Sequence, residues 1–540
     1  MRKGLAFLSS VLLLAAALLT PCLGLEAAES AVVTILHVND THSHLDPLAP
    51  RTPALVGTVG GIARAATVIA RERATDPNAL LLHAGDAIVT DPTFNAFIGV
   101  PAYELLGMLG TDAFTYGNHE FDFGPDVLGG TMLKQAKAFA GVPLLSANLE
   151  NLPAVPSIEA RTKSWIVKSV NGVKVGIFGL TIPDMPDAQP APLVISSETE
   201  AAARKALAEM KAAGAEVFVH LSHLGIRGDR ELVKAVPGID VVVGGHDHLL
   251  FATPEVETDP GGRKVPILQV GAYFEYVGRL RFKVKDGAFS LVDFKAIPVD
   301  DSIPADPTVQ AYVEALHPKI VADYGDLYGT ALGTTAQVLS NTFDPGTNRR
   351  DTSLGNLVAD AYRNYTKTEI AFTSLALLSD PIQGGPITGL DVFRAVGYGY
   401  DPATGLGYRL ATCRVSGEDL LRAIELVLAM DSLGESVLPQ PSGFTFAYNS
   451  KAEPGERVVQ RSFFVNGRPI DPSRKYTATS SEFVFALIGH FVTLEDLVVL
   501  PGSNEYTVLK QEVERQGRVR SLSWGRVVDV SVGFDSVKAE

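Results

Sequence analysis

The chain has 540 residues and 46% hydrophobic content, long enough for two or three domains and too apolar for a disordered protein. Its formal net charge of −15 argues against a nucleic-acid polymer as partner, although bound cations can still reverse the field locally for a small anion. The first segment stands apart. Arg2 and Lys3 precede an apolar run from Leu5 to Leu19, and small residues follow near Gly24 to Ala28. This is the layout of a secretory signal peptide over residues 1–28, and it places the protein in a periplasm or outside the cell. The run is too short for a membrane span, and no other stretch reaches that length. Cys22 follows Pro21, a poor context for lipid attachment. Cleavage near Gly24 leaves Cys413 as the remaining cysteine, read as a buried strand residue in RLATCRVSG.

Beyond the leader, apolar β-rich runs alternate with helical ones. VVTILHV, ALLLHA, VPLLSANL, KVGIFGLT, VFVHLSH, DVVVGG and VPILQVG read as strands buried on both faces. Helices are expected over Ile62 to Ala74 and Glu198 to Ala213. This pattern predicts an α/β layered domain over residues 30–300. A Pro-rich stretch with one helix then links it, over 301–330, to a second, mixed domain over 331–540. There Leu354 to Tyr365 and Gly417 to Met430 read as helices, while FTFAYN, RSFFVNG, KYTATSSEFVF and SWGRVVDVSVGF read as strands.

Polar residues at the tips of the first-domain strands carry the chemistry. They are Asp40 and His42 in VNDTHSH, Asp86 in HAGD, Asn118 in YGNHEFD, His223 in LSHLG, and His246 and His248 in GGHDH. Repeated polar groups at strand ends mark loops that converge on one site. Carboxylate, imidazole and amide without thiolate suit borderline divalent ions such as zinc, manganese, cobalt or iron. Seven such residues exceed the needs of one tetrahedral ion and match two ions sharing a carboxylate, for which Asp86 is the candidate. Asp40 with His42 is a pair at i and i+2, which share a side in an extended segment. His119 and Asp122, three apart, are close enough for the acid to orient the imidazole. Glu120 reads as structural. His37, His83 and His220 lie within apolar runs and read as hydrogen-bonded core histidines. His317 and His490 read as surface residues.

Taken in order, NDTHSHL, AGD, GNHEFD, SHLG and GGHDH resemble the 5′-nucleotidase family of calcineurin-like metallophosphoesterases, which includes UDP-sugar hydrolases and 2′,3′-cyclic phosphodiesterases. The resemblance implies a four-layer α/β-β/α sandwich followed by a smaller mixed α/β domain. It implies one ion held by Asp40, His42, Asp86 and His248 and a second by Asp86, Asn118, His223 and His246, with His119 and Asp122 as the dyad serving the transition state and leaving group. In the family the second domain binds the base of the substrate and swings against the first. TNRRDTSLGNLVADAYR matches its opening motif, with Asp351 where a glutamate is usual. Elsewhere the match thins: SLALLSDPIQGG replaces an arginine-bearing Asn-x-Gly-Gly-x-Arg stretch, and the segment that usually ends in Pro-Phe-Gly-Asn ends here in GYGY. Phe444, Phe446, Phe483 and Phe485 could build a different pocket, but their alternation reads first as strand core.

The implied activity is hydrolysis of a small-molecule phosphate ester, by family default a 5′-nucleotide. A non-nucleotide phosphate ester or a sulfur oxyanion conjugate is the alternative within the same chemistry. A non-catalytic surface binding protein is the alternative from another class, and it would need no dyad.

Overall fold

The computed structural model describes residues 31–532 apart from 184, 186–187, 286–287, 345, 402–404 and 431–433. The leader expected over 1–28 lies outside the described residues.

Two sheets organise the first 300 residues. In one, the strand Val32–Val38 pairs in parallel with Leu80–His83, and Ala113–Thr115, Leu144–Leu145 and Thr162–Lys163 continue the parallel order. On its other side Val32–Val38 pairs antiparallel with Tyr276–Lys285, which pairs antiparallel with Ala288–Pro298. In the second sheet, Val173–Thr181, Val217–His223, Val241–Val243 and Lys264–Leu268 run parallel, with antiparallel edge strands Trp165–Val170 and Glu255–Thr258.

Alternation along the strands produces the layers. Val33 and Ile35 join Val175, Ile177, Val219 and Val243 in a core between the sheets. Leu36 and Val38, one residue out of phase, join a different core with the helix Ile62–Thr75. Phe178 and Leu180 face the opposite way, into a core with Ala203, Ala206 and Met210 of the helix Thr199–Ala212. Successive strand residues point to opposite faces, so strands apolar at every position are buried on both. The result is helix, sheet, sheet, helix: the α/β four-layer sandwich expected.

The helix Pro307–Tyr324 opens on Asp306, whose carboxylate accepts the Thr308 and Val309 N–H groups. It buries Val309, Val313, Leu316 and Ile320 in the same core as the first sheet. A five-stranded sheet follows in the order Pro439–Ser442, Ile370–Ser374, Lys475–Ser481, Leu410–Ser416 and Glu495–Val499. The helix Ser353–Thr366 is started by Thr352, whose hydroxyl accepts the Gly355 N–H. Cys413 is buried on a strand as expected, and burial pushes its thiol up to about 12.

Three local readings change. KYTATSSEFVF is a strand only to Ser481; there the serine hydroxyl accepts the Val484 N–H and starts the helix Glu482–Ile488. Phe483 and Phe485 are therefore helical: Phe485 is buried against Phe372, and half-buried Phe483 stacks on Tyr408. RSFFVNG forms a 3₁₀ turn over Gln460–Ser462 and a strand of only Phe464–Val465. SWGRVVDVSVGF contributes the strand Val527–Asp529, and its final residues lie outside the described ones. Phe444 and Phe446 are core, both stacked on Phe463.

The two parts share more than a connector. One apolar core runs from Leu36 through Ile320 to Leu390, Phe393 and Val519. Buried ion pairs cross the same boundary. Arg394 bonds Asp91 through Nε at 2.8 Å, and Arg51 bonds Asp391 with two nitrogens at 2.7 Å. His317, expected at the surface, is half-buried because it pairs with Asp46 at 3.0 Å and stacks on Tyr328. His490 is exposed, as expected.

Arg394→Ala leaves Asp91 buried without its cation and is expected to cost about 3–5 kcal/mol. The loss should appear as a lower midpoint in thermal unfolding. Asp91→Leu combined with Arg394→Met removes both charges and should recover most of it; a double variant no more stable than Arg394→Ala would contradict this assignment.

Candidate metal centre

All seven residues singled out at strand tips converge at one edge of the two sheets. Two groups of potential ligand atoms form: Asp40 with His42 and His248, and Asp86 with His223 and His246, each within 4.8 Å of one another. Asn118 joins the second group through Oδ1, 3.2 Å from Nδ1 of His246.

The chain reaches this arrangement through left-handed backbone. Asp40, His42, Asp86, His246 and His248 have φ of 50°, 45°, 58°, 85° and 56°. Such φ values are uncommon for residues with side chains and collect at functional sites. The expectation that Asp40 and His42 share a side because their segment is extended is therefore wrong in mechanism. The pair does meet, but because a turn after Val38 curls both side chains inward. Glycines make the crossing possible. A β-carbon on Gly85, at φ 90°, would sit 2.5 Å from Nδ1 of His223, and one on Gly117 would collide with the Asp86 carboxylate.

Two of the four imidazoles are oriented from behind. His42 Nδ1 lies 3.0 Å from the Ile88 carbonyl, and His223 Nδ1 lies 2.6 Å from the Ala84 carbonyl. A carbonyl only accepts, so both rings donate from Nδ1 and turn Nε2 into the site. His42 Nε2 and His248 Nε2 face each other at 3.0 Å.

Asp40 is held by the Asn39 amide at 2.7 Å and by the His246 N–H, 3.0 Å from both of its oxygens. Asp86 divides its oxygens: Oδ1 accepts the His119 N–H at 3.0 Å, and Oδ2 lies 3.0 Å from His223 Nε2. Behind it, Glu120 accepts the N–H groups of Asp86 and Ala87 at 2.9 Å, the Gly117 N–H at 2.6 Å, and the Tyr103 hydroxyl at 3.2 Å. Glu120 is structural in the sense expected, a buried carboxylate that shapes the Asp86 and Asn118 loops. His119 Nδ1 lies 2.8 Å from Asp122 Oδ2 across a 3₁₀ turn.

The electrostatics match a cation site. Burial and the neighbouring Asp86 push the Asp40 carboxyl up to about 8, against the pull of His223 and the hydrogen bonds that Asp40 accepts. Burial holds His246 down at about 4 and His248 at about 3, and it depresses His42 as well. For His223, burial opposes the proton, but Asp86 and then Asp40 outweigh it and raise the ring to about 10. Three neutral imidazoles, a fourth whose proton is held by Asp86, and crowded, desolvated carboxylates are a costly arrangement alone and a suitable donor set for divalent cations. The residues fit the group that the sequence implies.

Of the three expected core histidines, His83 is hydrogen-bonded, to Thr41 at 2.9 Å. His37 and His220 find no hydrogen-bond partner among the described residues. They are stacked instead, on Phe294 and Phe178, and burial keeps both neutral. Sequence reasoning missed what surrounds the centre. Tyr273 packs on His42, His44 and His248, and Asp380 of the second part accepts from His44 Nε2 at 2.9 Å. Tyr398, also from the second part, lies against His119 with ring centroids 5.5 Å apart. The changed ending GYGY was the available signal for Tyr398.

Two family models match. Residues 33–250 match the calcineurin-like phosphoesterases, and residues 331–495 match the 5′-nucleotidase C-terminal domain. A bovine (Bos taurus) 5′-nucleotidase is 28% identical over 468 residues, 80% of this chain and 78% of the relative. A 5′-nucleotidase precursor from Thermus thermophilus superposes with a TM-score of 0.78 at 26% identity, covering 93% of this chain and all of the other. A sulfate thiohydrolase from the same species shares the fold, with a TM-score of 0.74 at 19% identity, covering 93% of this chain and 97% of the other.

Because Asp86 belongs to one ligand group and borders the other, Asp86→Ala should abolish binding of about two divalent ions per chain, whereas His248→Ala should lose about one. Glu120→Gln, which turns an amide donor toward at least one of the N–H groups of Asp86, Ala87 and Gly117, should lower metal occupancy while keeping side-chain volume. Elemental analysis after dialysis reads all three; equal metal content in Asp86→Ala and wild type would refute the arrangement.

Proposed function

The chain belongs to the calcineurin-like phosphoesterases that carry a 5′-nucleotidase C-terminal domain, and on that premise we propose that it is an exported dinuclear-metal hydrolase of phosphate esters, with 5′-nucleotides as first candidate substrates. The observation that carries this reading is the pair of facing ligand groups with the His119–Asp122 dyad bonded directly to one of them.

Asp40, His42, Asp86 and His248 would hold one divalent ion, and Asp86, Asn118, His223 and His246 the other; zinc, manganese, cobalt and iron suit this donor set. Two such ions, when bound, make hydroxide available near neutral pH and offset charge on phosphoryl oxygens. The protein's own groups do the rest. Asp122 fixes the Nδ1 side of His119 at 2.8 Å and leaves Nε2 to carry a proton. As the ester bond breaks, Nε2–H of His119 passes that proton to the leaving oxygen, so an alcohol departs. Asp86 ties this step to the metal groups, because its Oδ1 holds the His119 backbone while its Oδ2 faces His223. Export rests on the leader pattern of residues 1–28, and no helix among the described residues is long and apolar enough to cross a membrane.

A second reading keeps the chemistry and changes the substrate to a non-nucleotide phosphate ester or a sulfur oxyanion conjugate. It is favoured by the fate of the second-part aromatics: Phe444, Phe446 and Phe485 are spent in the core rather than offered to a base.

Hydrolysis of AMP, UDP-glucose, a 2′,3′-cyclic nucleotide, p-nitrophenyl phosphate and bis-p-nitrophenyl phosphate, with p-nitrophenyl sulfate as the sulfur ester, tests both, read as phosphate from AMP, as product nucleotide from the two nucleotide diesters and as nitrophenolate from the nitrophenyl esters. With Mn²⁺, Co²⁺ or Zn²⁺, AMP turnover above that of p-nitrophenyl phosphate is expected. His119→Asn should lower kcat by roughly 10²–10⁴-fold, the usual worth of a general acid. Turnover confined to the generic esters would select the second reading, and no turnover with any metal would remove both.

A further inference from the structure

The segment Gly397 to Tyr400 belongs to the second part of the chain but is docked on the part that holds the dyad. Tyr398 lies against His119 at 5.5 Å and an interplanar angle of 36°. Two residues on, Tyr400 packs against Phe123 at 5.5 Å and Phe94 at 6.1 Å, so the two tyrosines bracket the turn that carries His119 and Asp122. The amide of Asn95 donates to the Gly399 carbonyl at 3.4 Å and to the Gly405 carbonyl. Gly397 runs so close to the Thr90 carbonyl that a β-carbon would collide with it. Just upstream, Arg394 is fixed by Asp91 and by the carbonyl of Asp46 at 3.1 Å.

His119 needs such a support. Its hydrogen bond to Asp122 fixes one nitrogen, and delivery of the proton from Nε2 also requires the plane of the ring to be set. Among the described residues, His42, edge-on at 5.4 Å, and Tyr398 border it. His42 is itself held on the Ile88 carbonyl. Tyr398 is therefore the one of these two neighbours that depends on docking of the second part. We propose that Tyr398 is a positioning residue for the acid. Its aromatic face holds the His119 ring in the orientation that delivers the proton, so the second part of the chain completes the catalytic dyad. This rests on the reading of His119 as the proton donor to the leaving group.

The test is leaving-group dependence in the full chain loaded with Mn²⁺. A p-nitrophenolate leaves with little help, whereas phenolate needs the proton. Tyr398→Ala should lower kcat for phenyl phosphate by about 10–100-fold, part of the usual value of a general acid, and that for p-nitrophenyl phosphate by less than about 3-fold, with KM and metal content little changed. Tyr398→Phe keeps the ring and should match wild type. Should Tyr398→Ala not fold, Tyr398→Leu removes the aromatic face while keeping bulk and should show the same selectivity. Equal losses on both esters, a change confined to KM, or a Tyr398→Phe variant as impaired as the alanine would overturn the proposal. His119→Asn separates the two levels. If it too lacks leaving-group selectivity, the acid role fails and the positioning role with it. If it shows the selectivity and the Tyr398 variants do not, only the positioning role fails.

Discussion

The Asp86 carboxylate is the constraint on which the site depends. One of its oxygens accepts the backbone N–H of His119, and the other faces His223, at the end of a strand in the opposite sheet. A single side chain thus ties the two sheets together and ties one candidate ligand group to the turn that carries His119. Its own position is imposed by Glu120, which gathers the N–H groups of Asp86, Ala87 and Gly117. Three backbone donors on one buried carboxylate resist displacement, because any shift leaves a desolvated charge or an unpaired N–H.

That rigidity is what permits the unfavourable backbone around it. Left-handed conformations at Asp40, His42, Asp86, His246 and His248 each oppose folding by about 1–3 kcal/mol. They persist because the strands leading into them are anchored in the core between the sheets. Relaxing one loop would require Val38, His83 or Val243 to move within close-packed surroundings. The sandwich therefore acts as a stiff frame whose edge holds strained ligands.

Much of this was legible in the sequence because it follows from short-range rules. Uninterrupted apolar runs gave buried strands, and the polar residue after each run gave the converging edge. Legibility failed where a side chain competed with the periodic pattern. Ser481 caps a helix, so the alternation of Phe483 and Phe485 carried no strand information. It failed again for contacts between distant segments. Nothing local to His44, Arg51 or His317 announces Asp380, Asp391 or Asp46 as partners, since each is a long-range pairing of ordinary surface residue types. The i, i+2 rule reached the right pair, Asp40 and His42, through the wrong conformation, because sequence spacing does not distinguish an extended segment from a left-handed turn.

Those long-range pairs also shape how the second part of the chain can act. Asp91 with Arg394 and Asp391 with Arg51 are almost wholly removed from water, and an apolar core is continuous beside them. A surface ion pair is worth little and could exchange partners readily. A buried pair is different: separating it requires rehydrating both charges at once, or leaving one behind at a cost of several kcal/mol. Swinging the second part away would break these two pairs, His44 with Asp380, and the packing of Phe393 in a single movement. Rotation of the second part therefore carries the cost of all these contacts at once. The same contacts set Tyr273, Asp380 and Tyr398 beside His42, His44 and His119.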